Sequence, residues 1–260
     1  MQHIVPKCLF NQWSSILPRF RSVSRVLLLI SGMISTASQA DALSLTDGHA
    51  HDYAQFSGLT LDIAGRVQGD AQLGGLRVTL PKMFKHLVVY AEGSGTQGEV
   101  SGLAITSDVD YSGSTEGIGL YFTGLPDWSG FSTTLRLGYT REENSVESLL
   151  SVRGRQATVD TERRNVSARV LFSPLKPIHE NGLNGYLAFG IASSRTRQEV
   201  LVDQQTEPAL GEQDSTMEGY IATGIVYPLG RLRFYAVAEF QQEVSINAGI
   251  RWYVSKLPPR

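Results

Sequence analysis

Gly48-His49-Ala50-His51-Asp52 places two imidazoles at i and i+2 beside a carboxylate, a donor set that could hold a metal ion at a chain terminus. The surrounding residues 43–55 are polar, and the tract reads more simply as a solvated lead-in, so no metal site is expected. The remaining imidazoles past this point are His86 and His179. Neither belongs to a clustered donor set, and no Gly-rich phosphate loop occurs. The only cysteine is Cys8, within a segment expected to be removed, so neither a disulfide scaffold nor a Cys-ligated metal is available. No catalytic residue and no cofactor is expected.

A second kind of chemistry is carried by charges set among alternating apolar residues. Asp62, Arg77, Glu92, Arg136, Arg169, Glu239 and Arg251 each occupy the polar phase of such a stretch. If that phase faces an enclosed interior, the charges must pair or sit in water, because an isolated buried ion is costly. They would then form either a selective pore lining or a plug of salt bridges. The plug is favoured, because a barrel of about ten strands leaves little lumen once side chains fill it.

The elements that position these charges are β-strands. From Val244 every second residue is apolar or alanine (Val244, Ile246, Ala248, Ile250, Trp252), with Ser245, Asn247, Gly249, Arg251 and Tyr253 between. Phe234, Ala236, Ala238 and Phe240 alternate in the same way with Arg233, Tyr235, Val237 and Glu239. A strict period of two is a strand with one apolar and one polar face. The pattern recurs around Leu59–Ile63, Leu76–Leu80, Leu87–Ala91, Ile118–Phe122, Phe131–Tyr139, Val166–Phe172, Leu183–Ile191 and Met217–Tyr227, which predicts about ten strands, with eight to twelve compatible. The connections at 81–85, 125–130, 174–182 and 228–230 are short, whereas those at 93–116, 141–164 and 199–215 are long and polar. Long loops at one end and short turns at the other, with both termini at the short-turn end, is the arrangement of an up-and-down antiparallel transmembrane β-barrel. An even strand count closes the sheet without an exposed edge, as lipid demands.

Composition agrees. Charged residues make up 18% of the chain, net charge is −2, and mean hydropathy is −0.10. There is no basic excess to attract nucleic acid, and no apolar run reaches the length of a membrane helix. Residues 1–40 have the three parts of a secretory signal: Arg19, Arg21 and Arg25, then an apolar run from Val26 to Ile34, then the small-residue exit Ser-Thr-Ala-Ser-Gln-Ala. The expected organisation is a signal peptide at 1–40, a flexible lead at 41–55, a barrel at 56–254 and a tail at 255–260.

Over residues 56–254 the chain resembles the small outer-membrane barrels of Gram-negative bacteria, the OmpA/OmpX-like class, on its strand pattern and its aromatic last strand ending Trp252-Tyr253. The resemblance implies residence in the bacterial outer membrane, contact with its lipid and lipopolysaccharide, and recognition by the barrel assembly machinery. Barrels of the class usually end at a terminal aromatic, whereas here the tail Ser255–Arg260 follows. Trp128, Tyr227, Trp252 and Tyr253 fall near the short-turn end and are expected to form an aromatic girdle at headgroup level. The expected role is non-enzymatic, structural or surface-interacting through charged outer loops. A narrow anion-preferring channel is the first alternative and an outer-membrane lipid or peptide hydrolase the second. Hydrolases of this class need histidine near the outer rim or on the lipid-facing wall, whereas His49, His51, His86 and His179 all fall at the N-terminus or the short-turn end of the expected topology.

Overall fold

The structure, a computed structural model, describes residues 58–68, 71–82, 84–100, 109–152, 155–202, 205–206, 212–241 and 244–254. The expected signal peptide, the lead with His49, His51 and Asp52, Cys8 and the tail 255–260 lie outside the described residues. The strands are β1 (Thr60–Gln68), β2 (Ala71–Thr79), β3 (Leu87–Val100), β4 (Val109–Phe122), β5 (Phe131–Val152), β6 (Arg155–Pro174), β7 (Asn184–Val202), β8 (Gln205–Thr206), β9 (Glu212–Leu229), β10 (Leu232–Phe240) and β11 (Val244–Tyr253). There is no helix among the described residues. All pairings are antiparallel, and each strand pairs with the next, except that the two-residue β8 is only a spur on β7 and β9 returns to pair with β7. Pairing of β1 with β11 completes the circuit, so ten strands close an up-and-down barrel.

The period-two pattern sorts side chains as expected. Ile63, Ile118, Val166, Ile191, Ile221 and Ile246 are exposed on the outer wall, while Asp62, Thr79, Tyr90, Thr134, Asn165 and Asn247 are buried inside. This is the reverse of a water-soluble protein, and it suits a wall that meets lipid outside and polar groups within. Three short-end turns are tightened by left-handed backbone: Ser129-Gly130, Gly182 and Gly230 all have positive φ.

Two details differ from the sequence reading. The polar stretches at 93–116, 141–164 and 199–215 are largely strand: β5 and β6 pair as far as Val152 and Arg155, β3 and β4 as far as Val100 and Val109, and β7 continues to Val202. Their charges interrupt the apolar pattern without breaking the ladder, because above the membrane a strand can show polar residues on its outer side. The strands are therefore unequal. β1, β2, β10 and β11 have 9 or 10 residues, enough for a bilayer alone, whereas β5, β6, β7 and β9 have 22, 20, 19 and 18. One side of the barrel thus rises as a palisade beyond the apolar band, and the other stops near its edge.

Candidate functional site

The interior is floored by small side chains that make room for large ones. Tyr90 stands directly opposite Gly119, Tyr186 opposite Gly224 and Tyr235 opposite Gly249, each pair across neighbouring strands. A methyl group added at any of these glycines would run into the tyrosine ring beside it. The aromatic rings therefore lie flat over bare backbone and extend into the bore.

Charged groups fill the rest. One level of the wall carries Arg251, Asp62, Arg77 and Glu92 on β11, β1, β2 and β3, each opposite the next, so that sign alternates around almost half the barrel. Arg251 Nε donates to Asp62 Oδ1 at 2.6 Å, and Arg77 donates to Glu92 Oε2 from Nε at 2.9 Å and from Nη2 at 2.6 Å. Opposed unlike charges stabilise a sheet, and burial makes the pairing obligatory. Arg77 Nη1 also donates to the Tyr121 hydroxyl at 2.7 Å, and its guanidinium lies 4.6 Å from the Tyr90 ring centre.

Arg136 and Arg169 are direct neighbours on β5 and β6, an unfavourable like-charge pair. Their heads diverge. Arg136 donates from Nε to the Tyr90 hydroxyl at 2.8 Å and brings Nη2 to 3.5 Å from Glu92 Oε1. Arg169 lies over the Tyr220 ring at 3.7 Å, and the Tyr220 hydroxyl donates to Glu239 Oε1 at 3.0 Å. Glu239 also pairs with Arg66 at 3.4 Å. Arg66–Glu239 passes over β11, Glu239–Tyr220 joins adjacent strands and Tyr220–Arg169 passes over β7, so the links run around the inner wall from β1 to β6. Asp62, Arg77, Glu92, Arg136, Arg169, Glu239 and Arg251 are all buried.

Three further buried charges belong to the interior: Arg66, Arg163 and Glu142. Arg163 Nη2 donates to Ser194 Oγ at 3.2 Å, and Glu142 accepts from Asn144 Nδ2 at 2.6 Å. A sequence signal for them exists. Arg66 continues the phase of Asp62, and Thr140/Glu142/Asn144 and Thr161/Arg163/Asn165 carry the inward phase into the stretch read as a loop. The buried charges then number six Arg (66, 77, 136, 163, 169, 251) against four acids (62, 92, 142, 239) among the described residues.

Of the four aromatics, Trp128, Tyr227 and Trp252 are exposed on the outer wall near the short turns. Tyr253 is not with them: it is 1% exposed and points inward, with the Arg233 guanidinium 5.2 Å from its ring centre. Strand alternation explains the difference, since neighbours 252 and 253 take opposite faces. His86 and His179 stand at the short-turn end, where His86 meets Phe122 edge-on. No group of metal-ligating side chains is found among the described residues.

Above the apolar band, the outer face of the palisade is an ion-pair lattice. Arg141 meets Glu143 at 2.6 Å, Glu162 at 2.8 Å and Glu116 at 3.9 Å, and Arg164 meets Glu162 at 3.0 Å. Hydrogen bonding from Arg164, reinforced by Arg141, holds the Glu162 carboxyl below the usual carboxylate range.

No protein-family model matches this sequence, and no curated protein matches it. Solved structures do. The translocator domain of the autotransporter NalP from Neisseria meningitidis is similar with a TM-score of 0.51 at 11% identity, over 88% of this chain and 99% of that one. KdgM porin matches 75% of this chain and 99% of its own at 9% identity and TM-score 0.33. Ail, the attachment invasion locus protein of Yersinia pestis, matches 75% and 98% at 12% identity and TM-score 0.33. These are outer-membrane barrels, and the likeness is one of fold. A fold does not by itself single out an activity.

Proposed function

From a chain built as a bacterial outer-membrane β-barrel, we infer a non-enzymatic protein whose bore is closed by its own side chains and whose raised charged wall serves envelope structure or surface interaction. The observation that carries this reading is the chain of contacts Arg66–Glu239–Tyr220–Arg169, in which buried side-chain heads engage one another over half the circuit of the inner wall, from β1 to β6. A conducting pore keeps its charges on the wall and leaves water between them. Here guanidinium groups reach over to aromatic rings and carboxylates on other strands. Steady-state conductance of the purified protein in planar bilayers tests the reading: little or none is expected. Arg136→Ala with Arg169→Ala removes two of the bridging heads and should raise conductance or loosen the barrel.

The excess of six buried Arg over four buried acids favours one second reading, a narrow anion-preferring channel. Large, stable, anion-selective conductance in the unmutated protein would put that reading in place of the closed barrel.

A further inference from the structure

Where the chain passes from β6 into β7 it holds two Asn-Gly pairs, Asn181-Gly182 and Asn184-Gly185, the only such pairs in the sequence. Such a pair carries latent chemistry. The peptide nitrogen that follows an asparagine can attack the side-chain carboxamide carbon, and glycine, with no Cβ, leaves that approach open. Both residues of the first pair are set by the turn. Gly182 has a φ of 89°, in the left-handed region, and an added Cβ would meet Pro228 Cγ at 2.7 Å. Asn181 supplies a side-chain oxygen that bonds the backbone two residues on, its Oδ1 accepting from Leu183 N at 3.1 Å. The conformation that shapes this end of the barrel thus brings a reactive pair with it.

The two carboxamides are held differently. Asn184 is buried at the start of β7. Its Oδ1 accepts from Gly185 N at 2.9 Å, and its Nδ2 donates to Pro174 O at 3.0 Å. The group is clamped at both ends, its nitrogen is tied to a carbonyl, and the Gly185 N–H is aimed at the oxygen rather than at the carbon. Asn181 is exposed. The Leu183 N–H polarises its carbonyl, and its Nδ2 has no partner among the described residues. A proton from solvent can therefore reach that nitrogen as it leaves. Gly182 N donates to His179 O at 2.9 Å. That bond lies in an exposed turn, where local openings are easier than in a strand held in the ladder.

We propose that Asn181 is a site of spontaneous deamidation, through which the β6–β7 turn acquires a carboxylate after the barrel has folded. Gly182 N gives its proton to water and attacks Asn181 Cγ. A C–N bond forms, the bond from Cγ to Nδ2 breaks, and the amino group takes up a proton and leaves as ammonia. Water then opens the resulting cyclic imide at either carbonyl. One opening gives aspartate; the other gives isoaspartate, whose main chain is longer by a methylene group. Nothing is oxidised or reduced, and water is the only co-reactant. Either product adds a negative charge beside Glu180 and next to the His179 imidazole, whose Nδ1 accepts from Asn181 N at 3.3 Å. The site does not depend on whether the bore conducts or on what the raised wall meets.

The test incubates the folded full-length protein in detergent at mildly alkaline pH, where the amide proton is lost more easily. Peptide digestion with fragment mass spectrometry reads the two asparagines separately and distinguishes isoaspartate from aspartate. Heat-modifiable gel mobility confirms that the barrel stays folded throughout. Asn181 should convert faster than Asn184 by about tenfold or more, because an exposed turn opens more readily than a ladder strand, and both products should form. The same chain unfolded in urea should convert the two at comparable rates, which assigns the contrast to the fold. Equal conversion of the two in the folded barrel would overturn the assignment. So would no conversion of Asn181 over the time the unfolded chain needs, a contrast that persists unchanged in urea, or aspartate formed without isoaspartate.

Discussion

Arg77 and Glu92 face each other across β2 and β3, with Nη2 of one 2.6 Å from Oε2 of the other and neither reached by solvent. Removing one member leaves the other charged and enclosed. Arg77→Ala should therefore cost about 3–5 kcal/mol of barrel stability, whereas the joint change Arg77→Met with Glu92→Leu should cost much less. Denaturant unfolding in lipid vesicles, followed by tryptophan fluorescence, measures both. A single-variant loss no larger than that of the joint variant would show that the pair is not buried in the membrane-embedded protein.

Tyr90, two residues before Glu92 on β3, ties Arg136 to the same set through the bond its hydroxyl accepts from that guanidinium. Tyr90→Phe keeps the ring over Gly119 and deletes that acceptor, leaving a buried guanidinium donor with less to bond. A loss of about 1–3 kcal/mol is expected in the same unfolding measurement. Gly119→Val, which pushes the ring away, should be the more damaging change.

Ser145 is exposed on the raised wall and Asn181 in a short turn at the other end. In a Cys8→Ser background, a cysteine at position 145 should react with an impermeant maleimide on intact cells, and one at position 181 should react only after lysis. The reverse pattern would invert the barrel in the membrane.

A cation on the outer wall is tolerated or not according to level. Ile221→Arg lies in the apolar band and should cost about 2–4 kcal/mol, whereas Glu143→Arg, beyond it, should cost little. Equal costs at the two sites would mean that the band does not meet lipid.

Glu162 has a folded pKa lowered by Arg164 and Arg141. A depressed carboxyl pKa contributes stability above the unfolded-state value and loses it as pH falls through the folded value. The Arg164–Glu162 contact should therefore persist at neutral pH, give way only in acid, and weaken with salt, because Arg164 is exposed and Glu162 only half-buried. A pH and salt titration of the Glu162 carboxyl resonance checks the direction.

Architecture was legible in the sequence because a membrane wall has one physical requirement at every position: apolar out, polar in. That requirement fixes the phase of Asp62, Arg77, Arg136 and Arg251, and the structure buries all four. Strand length was less legible. Beyond the apolar band, Arg141, Glu143, Glu162 and Arg164 satisfy no lipid, so the outer phase turns charged and the alternation that marks a strand fades, although the hydrogen-bond ladder continues. Partner choice inside the bore was not legible at all. Arg136 and Arg169 are equivalent by period and register. Only the three-dimensional placement of Tyr90 and Tyr220 sends one to Glu92 and the other toward Glu239.

Asp62 and Arg251 meet across the seam that closes the sheet, and 189 positions of chain separate them. A contact so distant in sequence cannot form until the final strand has arrived, and folds dominated by such pairings assemble slowly. The pair also checks the alignment of that closure. A slip of one residue would turn Asp62 toward lipid, and a slip of two would set it against Gly249 or Tyr253, neither of which offers a charge. The seam is thus proofread by electrostatics. Only one alignment brings Arg251 to the waiting carboxylate, and a barrel closed in any other forgoes that pair.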